Sequence, residues 1–240
     1  RGRIYATHAT YDLCALMLMD SAYIQESDAA FFNKRFRKKD EPAVQPLYTK
    51  ADAEGVLDLF VGVGYRAPFT PVEGCEVEYR DAGHILGSAT MTLKVREGSR
   101  TVTIGFTGDV GRSGRPILRD PQPMPDCDVL ICESTYGGKV HEPQERAKER
   151  LAQVVAETAR RGGKVIIPAF AVGRTQELVY HLNIMMFAKD VPPVPVFVDS
   201  PLAVNASNVF SRHPEVFDAE TRWFVQQARH PALDFKMLTY

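Results

Sequence analysis

Asp81-Ala-Gly-His84-Ile-Leu-Gly-Ser88, Phe106-Thr-Gly-Asp109-Val-Gly-Arg112 and Ile131-Cys-Glu133-Ser-Thr-Tyr-Gly-Gly138 are the three stretches from which this 240-residue chain is read. Each closes a strand-like run. Val77 and Tyr79 alternate with charged residues toward His84, Thr101 to Phe106 leads to Asp109, and Val129-Leu-Ile-Cys132 leads to Glu133. The intervals are nearly equal, 25 positions (109−84) and 24 (133−109). Polar side chains at the ends of neighbouring strands, each in a Gly-containing turn, can converge on one rim of a sheet. Such a rim suits a hard or borderline metal ion and a hydrolytic water. Taken bare, each residue also has a plainer reading: His84 as a hydrogen-bonded, partly buried side chain, Asp109 as an Asx-turn and Glu133 as a cap.

Around these blocks, residues 74–131 read as mostly β, with Glu97-Gly-Ser-Arg100 joining two strands as a hairpin. Upstream, Arg3 to Ala6 reads as a short strand. Thr7 or Thr10 can cap a helix over 12–20 with Leu13, Leu16, Met17 and Met19 on one face. Residues 21–47 are polar and contain Lys34-Arg-Phe-Arg-Lys-Lys39. Alternating basic and aromatic side chains suit a nucleic-acid strand, and equally a solvated helical face or loop. Thr49 opens a further helix running through Val56, Leu57, Leu59 and Phe60, and residues 62–71 read as a Gly/Pro-punctuated connection.

Downstream the pattern changes. Residues 145–160 have helical spacing and Gly162-Gly163 stops them. Lys164 to Pro168 reads as a strand buried on both faces. A helix over 175–188, a strand over 194–198 and a helix after Pro201 follow, an alternation that implies a parallel, Rossmann-like layer. The change places a division near residues 139–145, giving segments 1–142 and 143–240.

A formal net charge of −1 excludes a strongly basic nucleic-acid-binding tail but not a local basic groove. No apolar run approaches the roughly 18 residues needed to span a membrane. Cys14, Cys75, Cys127 and Cys132 lack Cys-x-x-Cys spacing and read as free thiols in a reducing cytoplasm. The chain opens in a strand-like run and stops at Tyr240 without a tail, so the expectation is a piece of a longer chain.

The three blocks resemble the β-CASP family of metallo-β-lactamase-fold nucleases, the branch that processes RNA and DNA. The resemblance continues through Pro168-Ala-Phe-Ala-Val-Gly-Arg174-Thr-Gln-Glu-Leu178 and Val198-Asp-Ser-Pro201, and so covers nearly the whole chain. It implies an α/β fold: part of an αββα sandwich in 1–142, followed by the start of an inserted Rossmann-like β-CASP domain in 143–240. It implies that His84 holds one zinc of a two-zinc centre and that Asp109 bridges both ions. Glu133 would pair with a histidine from a later His-x-Ser-Gly-His-like block to assist proton transfer. Arg174, at a strand-to-helix turn, is placed either to receive a phosphate or to pair with Glu177.

The substrate implied is RNA, with DNA less favoured. A homo-oligomer is compatible with the sequence, and nothing in it specifies one. The family's His-x-His-x-Asp-His block is absent from Arg1 to Tyr240, as is the later histidine block. With one His and one Asp of the ligand set, this piece is expected not to retain zinc and to be inactive alone. His8, His141, His181, His213 and His230 read as non-ligands. Two rivals stand beside the nuclease: a metal-free RNA-binding or scaffolding homologue, and another hydrolase of the same fold, such as a thioester hydrolase.

Overall fold

The computed structural model describes residues 2–228 and 233–240. The fold is α/β. Its first strand, β1 (Ile4–Thr7), runs into α1 (His8–Arg35), which Thr7 caps by accepting the Thr10 N–H on its hydroxyl. α2 (Lys50–Leu57) opens on a reciprocal cap: Thr49 accepts the Asp52 N–H, and the Asp52 carboxylate accepts the Thr49 N–H. β2 (Phe60–Val63) then pairs parallel with β1, as a crossover through helices permits.

The site is carried by a second, five-stranded sheet. β3 (Phe69–Val72), β4 (Cys75–Asp81), β5 (Ala89–Glu97), β6 (Arg100–Phe106) and β7 (Val129–Ile131) lie side by side in that order. The first three pairings are antiparallel and β6–β7 is parallel. β4, β6 and β7 therefore point the same way, and their C-terminal ends share one rim. The expected hairpin joins β5 to β6, with Glu97 opposite Arg100.

The remaining chain supplies α3 (Gln144–Arg160), α4 (Arg174–Ala188), β8 (Val196–Phe197), α5 (Pro201–Arg212), a 3₁₀ turn (Pro214–Val216), α6 (Ala219–Ala228) and β9 (Leu238–Thr239). β8 and β9 pair parallel. The main core combines Leu13, Leu86 and Ile117 with Val179, Tyr180, Phe210 and Phe217, residues from both sides of the 142/143 division. Inside it, Gln176 is fully buried and donates to the carbonyl oxygens of Ala171 and Ala203 and to the Ser207 hydroxyl. His213 lies between α1 and the 3₁₀ turn, its Nε2 2.9 Å from Asp12 and its Nδ1 2.7 Å from Glu215.

Four local expectations need correction. The helix opened by Thr49 does not run through Leu59 and Phe60 but ends at Leu57, and Phe60 begins β2. The first helix does not stop at 20 but continues to Arg35, because its second half packs through Ala22 and Ala29, small residues that form no visible apolar stripe. Residues 62–71 are not only a connection: they hold the end of β2 and the start of β3, whose partners lie far off in sequence or across a bulge. Lys164 to Pro168 forms no strand and is exposed, Ile166 to 88%. An apolar run becomes a strand only where another strand satisfies its backbone, and no described residue pairs with this one. No helix among the described residues is long and apolar enough to cross a membrane.

Candidate active site

The three turns at the shared rim are bound to one another through their backbones. In the first, Gly83 N–H donates to Asp81 Oδ1, and the Ser88 hydroxyl accepts from the N–H groups of His84 and Ile85 at 3.0 and 3.2 Å. Asp81 itself is buried, which pushes its carboxyl above the usual range while the Gly83 N–H and Arg119 pull it back. The second turn docks on the first by a 2.8 Å bond from Gly111 N–H to the Ala82 carbonyl. Only glycine fits at 111, because a Cβ there would sit inside the Gly83 carbonyl. The third turn is held twice: Thr107 N–H donates to Ile131 O at 3.0 Å, and Glu133 N–H to the Thr107 hydroxyl at 3.1 Å.

Glu133 then returns a bond to the second turn. Its Oε1 accepts the Val110 N–H at 2.7 Å and its Oε2 accepts the Thr135 hydroxyl at 2.8 Å. The Val110 bond, then the Thr135 bond, lowers the Glu133 pKa from the ordinary glutamate value, with His84 adding a smaller pull. Asp109 is the residue beside Val110. Its Oδ2 lies 3.9 Å from His84 Nε2, with the His84 and Asp109 side chains 36% and 70% exposed.

His84, Asp109, Glu133 and Arg174 all line one cleft of about 930 Å³. Its other wall comes from the turn before α4, where Phe170, Val172 and Gly173 face the His84 turn. Arg174 is paired: its Nη1 is 2.9 Å from Glu177 Oε2, which also takes Arg115 at 3.3 Å. The ion pair weighed for Arg174 is thus made, while its side chain stays half exposed to the cleft. Sequence reasoning passed over Arg112, Arg115 and Lys139, which line the cleft too. Arg112 ends the second motif and could have been found from that position.

Among the histidines, His141 joins the cleft, its ring 4.6 Å edge-on from Tyr136. Its closeness in sequence to Glu133 was the only signal. His8, His181 and His213 do not line the cleft, and burial lowers the His181 pKa. His230 lies outside the described residues.

The donor pair can be compared with what a zinc ion requires. A nitrogen and a carboxylate oxygen 3.9 Å apart can both reach one ion at the usual distances of about 2.0–2.2 Å. Donor types and spacing therefore fit. The number does not: no group of three or more His, Cys, Asp and Glu that could hold a metal occurs among the described residues. The pair is half of a site that takes three or four protein ligands.

Residues 175–240 match the Beta-Casp domain model. The chain belongs to the β-CASP family. It is 28% identical to ribonuclease TTHA0252 of Thermus thermophilus, over 96% of this chain and 48% of that protein. It is 31% identical to cleavage and polyadenylation specificity factor subunit 3 of Dictyostelium discoideum, over 92% of this chain and 27% of the relative. Transcription termination factor FttA of Pyrococcus abyssi is also 31% identical, over 92% of this chain and 32% of that factor. This β-CASP chain spans about a quarter to a half of the length of these curated relatives.

Proposed function

We propose that the protein is a zinc-dependent hydrolase of phosphodiester bonds in nucleic acid, with RNA as substrate. One observation carries this: a single cleft holds the His84–Asp109 donor pair, the fixed Glu133 carboxylate and the cations Arg112, Arg115, Lys139 and Arg174. A relative named as a ribonuclease supports the substrate class. A zinc ion, when bound, would supply Lewis-acid polarisation of a phosphate and a lowered pKa for water.

This chain's own residues have distinct tasks. His84 and Asp109 would hold the metal. Glu133, kept ionised by its two donors, cannot give up a proton at neutral pH. It serves instead as the fixed acceptor that orients a proton-carrying partner and holds the Asp109 turn still. Arg174 would take a substrate phosphate on the face not used by Glu177, with Arg112 and Lys139 drawing the anionic strand in.

With two donors in hand, residues 1–240 alone are proposed to be inactive, the remaining ligands coming from outside them. The division at 142/143 is proposed as the join between a metallo-β-lactamase-like part and the β-CASP part. The proposed setting is the cytoplasm, a reducing compartment in which the four cysteines persist as the free thiols observed.

The test is zinc content by elemental analysis together with cleavage of a labelled RNA, on this chain and on one extended to the length of its relatives. Zinc and cleavage in the longer chain, both abolished in Asp109→Ala, are expected. A longer chain that binds RNA yet neither holds zinc nor cuts would establish the scaffolding rival.

A further inference from the structure

The second half of α1 is built inside out. Its buried positions are Ala22 and Ala29, while Tyr23, Phe31, Phe32 and Phe36 stand exposed, Phe31 and Phe36 to 56% and 57%. Packing explains the alanines, since they let α2 approach closely. It does not explain three phenylalanines in solvent at the helix end, because exposed aromatic clusters on a folded chain mark contact surfaces.

Charge indicates what they would meet. Lys34, Arg35, Arg37, Lys38 and Lys39 run through the same turn and are followed by only two anions, Asp40 and Glu41. Among the described residues, Lys34, Arg35 and Lys39 make no ion pair, and Lys38 makes a loose one to Glu41 at 3.9 Å. The Arg35 guanidinium lies 5.9 Å from the ring centres of both Phe31 and Phe36. Protein interfaces are depleted of lysine at their centres and seldom interleave five cations with their aromatic anchors. Flat rings for bases, beside mobile cations for phosphates, are how single strands are held without regard to sequence.

We propose that the C-terminal turn of α1 is a single-stranded RNA-binding patch, separate from the cleft, that holds the strand at a fixed distance from it. This rests on the reading of RNA as the substrate class. The distance is set by α1 itself. Its N-terminus is fastened to the turn that carries His84: the Thr7 and Thr10 hydroxyls both donate to Gly87 O at 2.8 Å. Gly87 adopts φ +81°, and a Cβ there would strike the Thr10 N–H, so the helix end sits directly on the turn. From that anchor, 28 residues at about 1.5 Å each carry the patch roughly 40 Å away. A stacked strand rises about 3.4 Å per nucleotide, so roughly 12 nucleotides separate the two sites.

The experiment measures fluorescence anisotropy of labelled single-stranded RNAs of 6 and 24 nucleotides on this chain, against Phe31→Ala/Phe36→Ala and Lys34→Glu/Lys39→Glu. All the patch positions are exposed, and circular dichroism checks that the variants fold. The aromatic variant should weaken binding of both RNAs about 10-fold. The charge variant should do the same and flatten the salt dependence, by about 0.7 in the log–log slope for each phosphate no longer neutralised. Unchanged affinity in both patch variants overturns the proposal, whatever the longer chain does to RNA. So does self-association abolished by Phe31→Ala/Phe36→Ala with no RNA binding, which would make the patch a protein contact. Absence of cleavage chemistry with intact patch binding would instead count only against the cleft.

Discussion

The two walls of the cleft are held by different kinds of bond. The wall that carries His84, Asp109 and Glu133 is fastened chiefly backbone to backbone, through Gly111 to Ala82 and Thr107 to Ile131. Side-chain bonds are added, the Glu133 carboxylate accepting from the Val110 N–H and the Thr107 hydroxyl from the Glu133 N–H. The wall that carries Arg174 hangs on side chains: Gln176 inside the core, and Glu177 shared by two arginines. Main-chain bonds leave no rotamers free, so the first wall is set by the fold. The second can be retuned one residue at a time.

That contrast orders the substitutions. Gly111→Ala should do most harm, since the added methyl must push two turns apart. A loss of about 3 kcal/mol in urea unfolding is expected, and a loss under about 1 kcal/mol would mean the turns are not locked. Gln176→Leu should cost about 2 kcal/mol, because it removes the acceptor of the half-buried Gly173 N–H and a donor to the half-buried Ala171 carbonyl. His213→Ala, which removes both carboxylate contacts between α1 and the 3₁₀ turn, should cost about 1–2 kcal/mol by the same assay.

The acid titration sharpens the comparison further. Glu133 has a lowered pKa in the folded chain, so its stabilising contribution is present above the ordinary value of 4.5 and is lost as pH falls through the folded value. The protection of the Val110 amide, relative to its intrinsic exchange rate, should fall as pH drops through that lowered folded value, and Glu133→Gln should remove the dependence. Asp81 has a raised pKa, so its contribution is full below 3.8 and fades as pH rises through its folded value. Asp81→Asn should flatten only that limb. The smallest effect belongs to the second wall. Glu177→Gln frees Arg115 and Arg174, which should change stability by less than about 1 kcal/mol while tightening phosphate-analogue binding a few-fold.

What could be read in advance follows the same divide. The turns at 81–88, 107–112 and 131–138 were legible because a glycine turn after a short strand is a local signal. The helix caps at Thr7 and Thr49 were legible for that reason too. Long-range pairing was not. β2 finds its partner more than fifty residues upstream, and Ile166 shows that an apolar run says nothing of whether a partner exists. The reach of α1 was hidden because alanine buries a helix without marking it. In the site, Arg115 and Lys139 went unread because cleft-lining is a property of the assembled walls, with no motif of its own, whereas Arg112 was readable from its place at the end of the second motif.

The bond from Gly111 to Ala82 has a consequence for order of events. Asp109 directly precedes the two residues so bound, Val110 and Gly111, so its turn is held before any ion arrives. Capture of a cation would then be limited by shedding its water, not by folding the loop around it. A chelator that strips the ion would leave the turn folded, and any fall in melting temperature would report the lost binding free energy alone, unlike domains that assemble only around their metal.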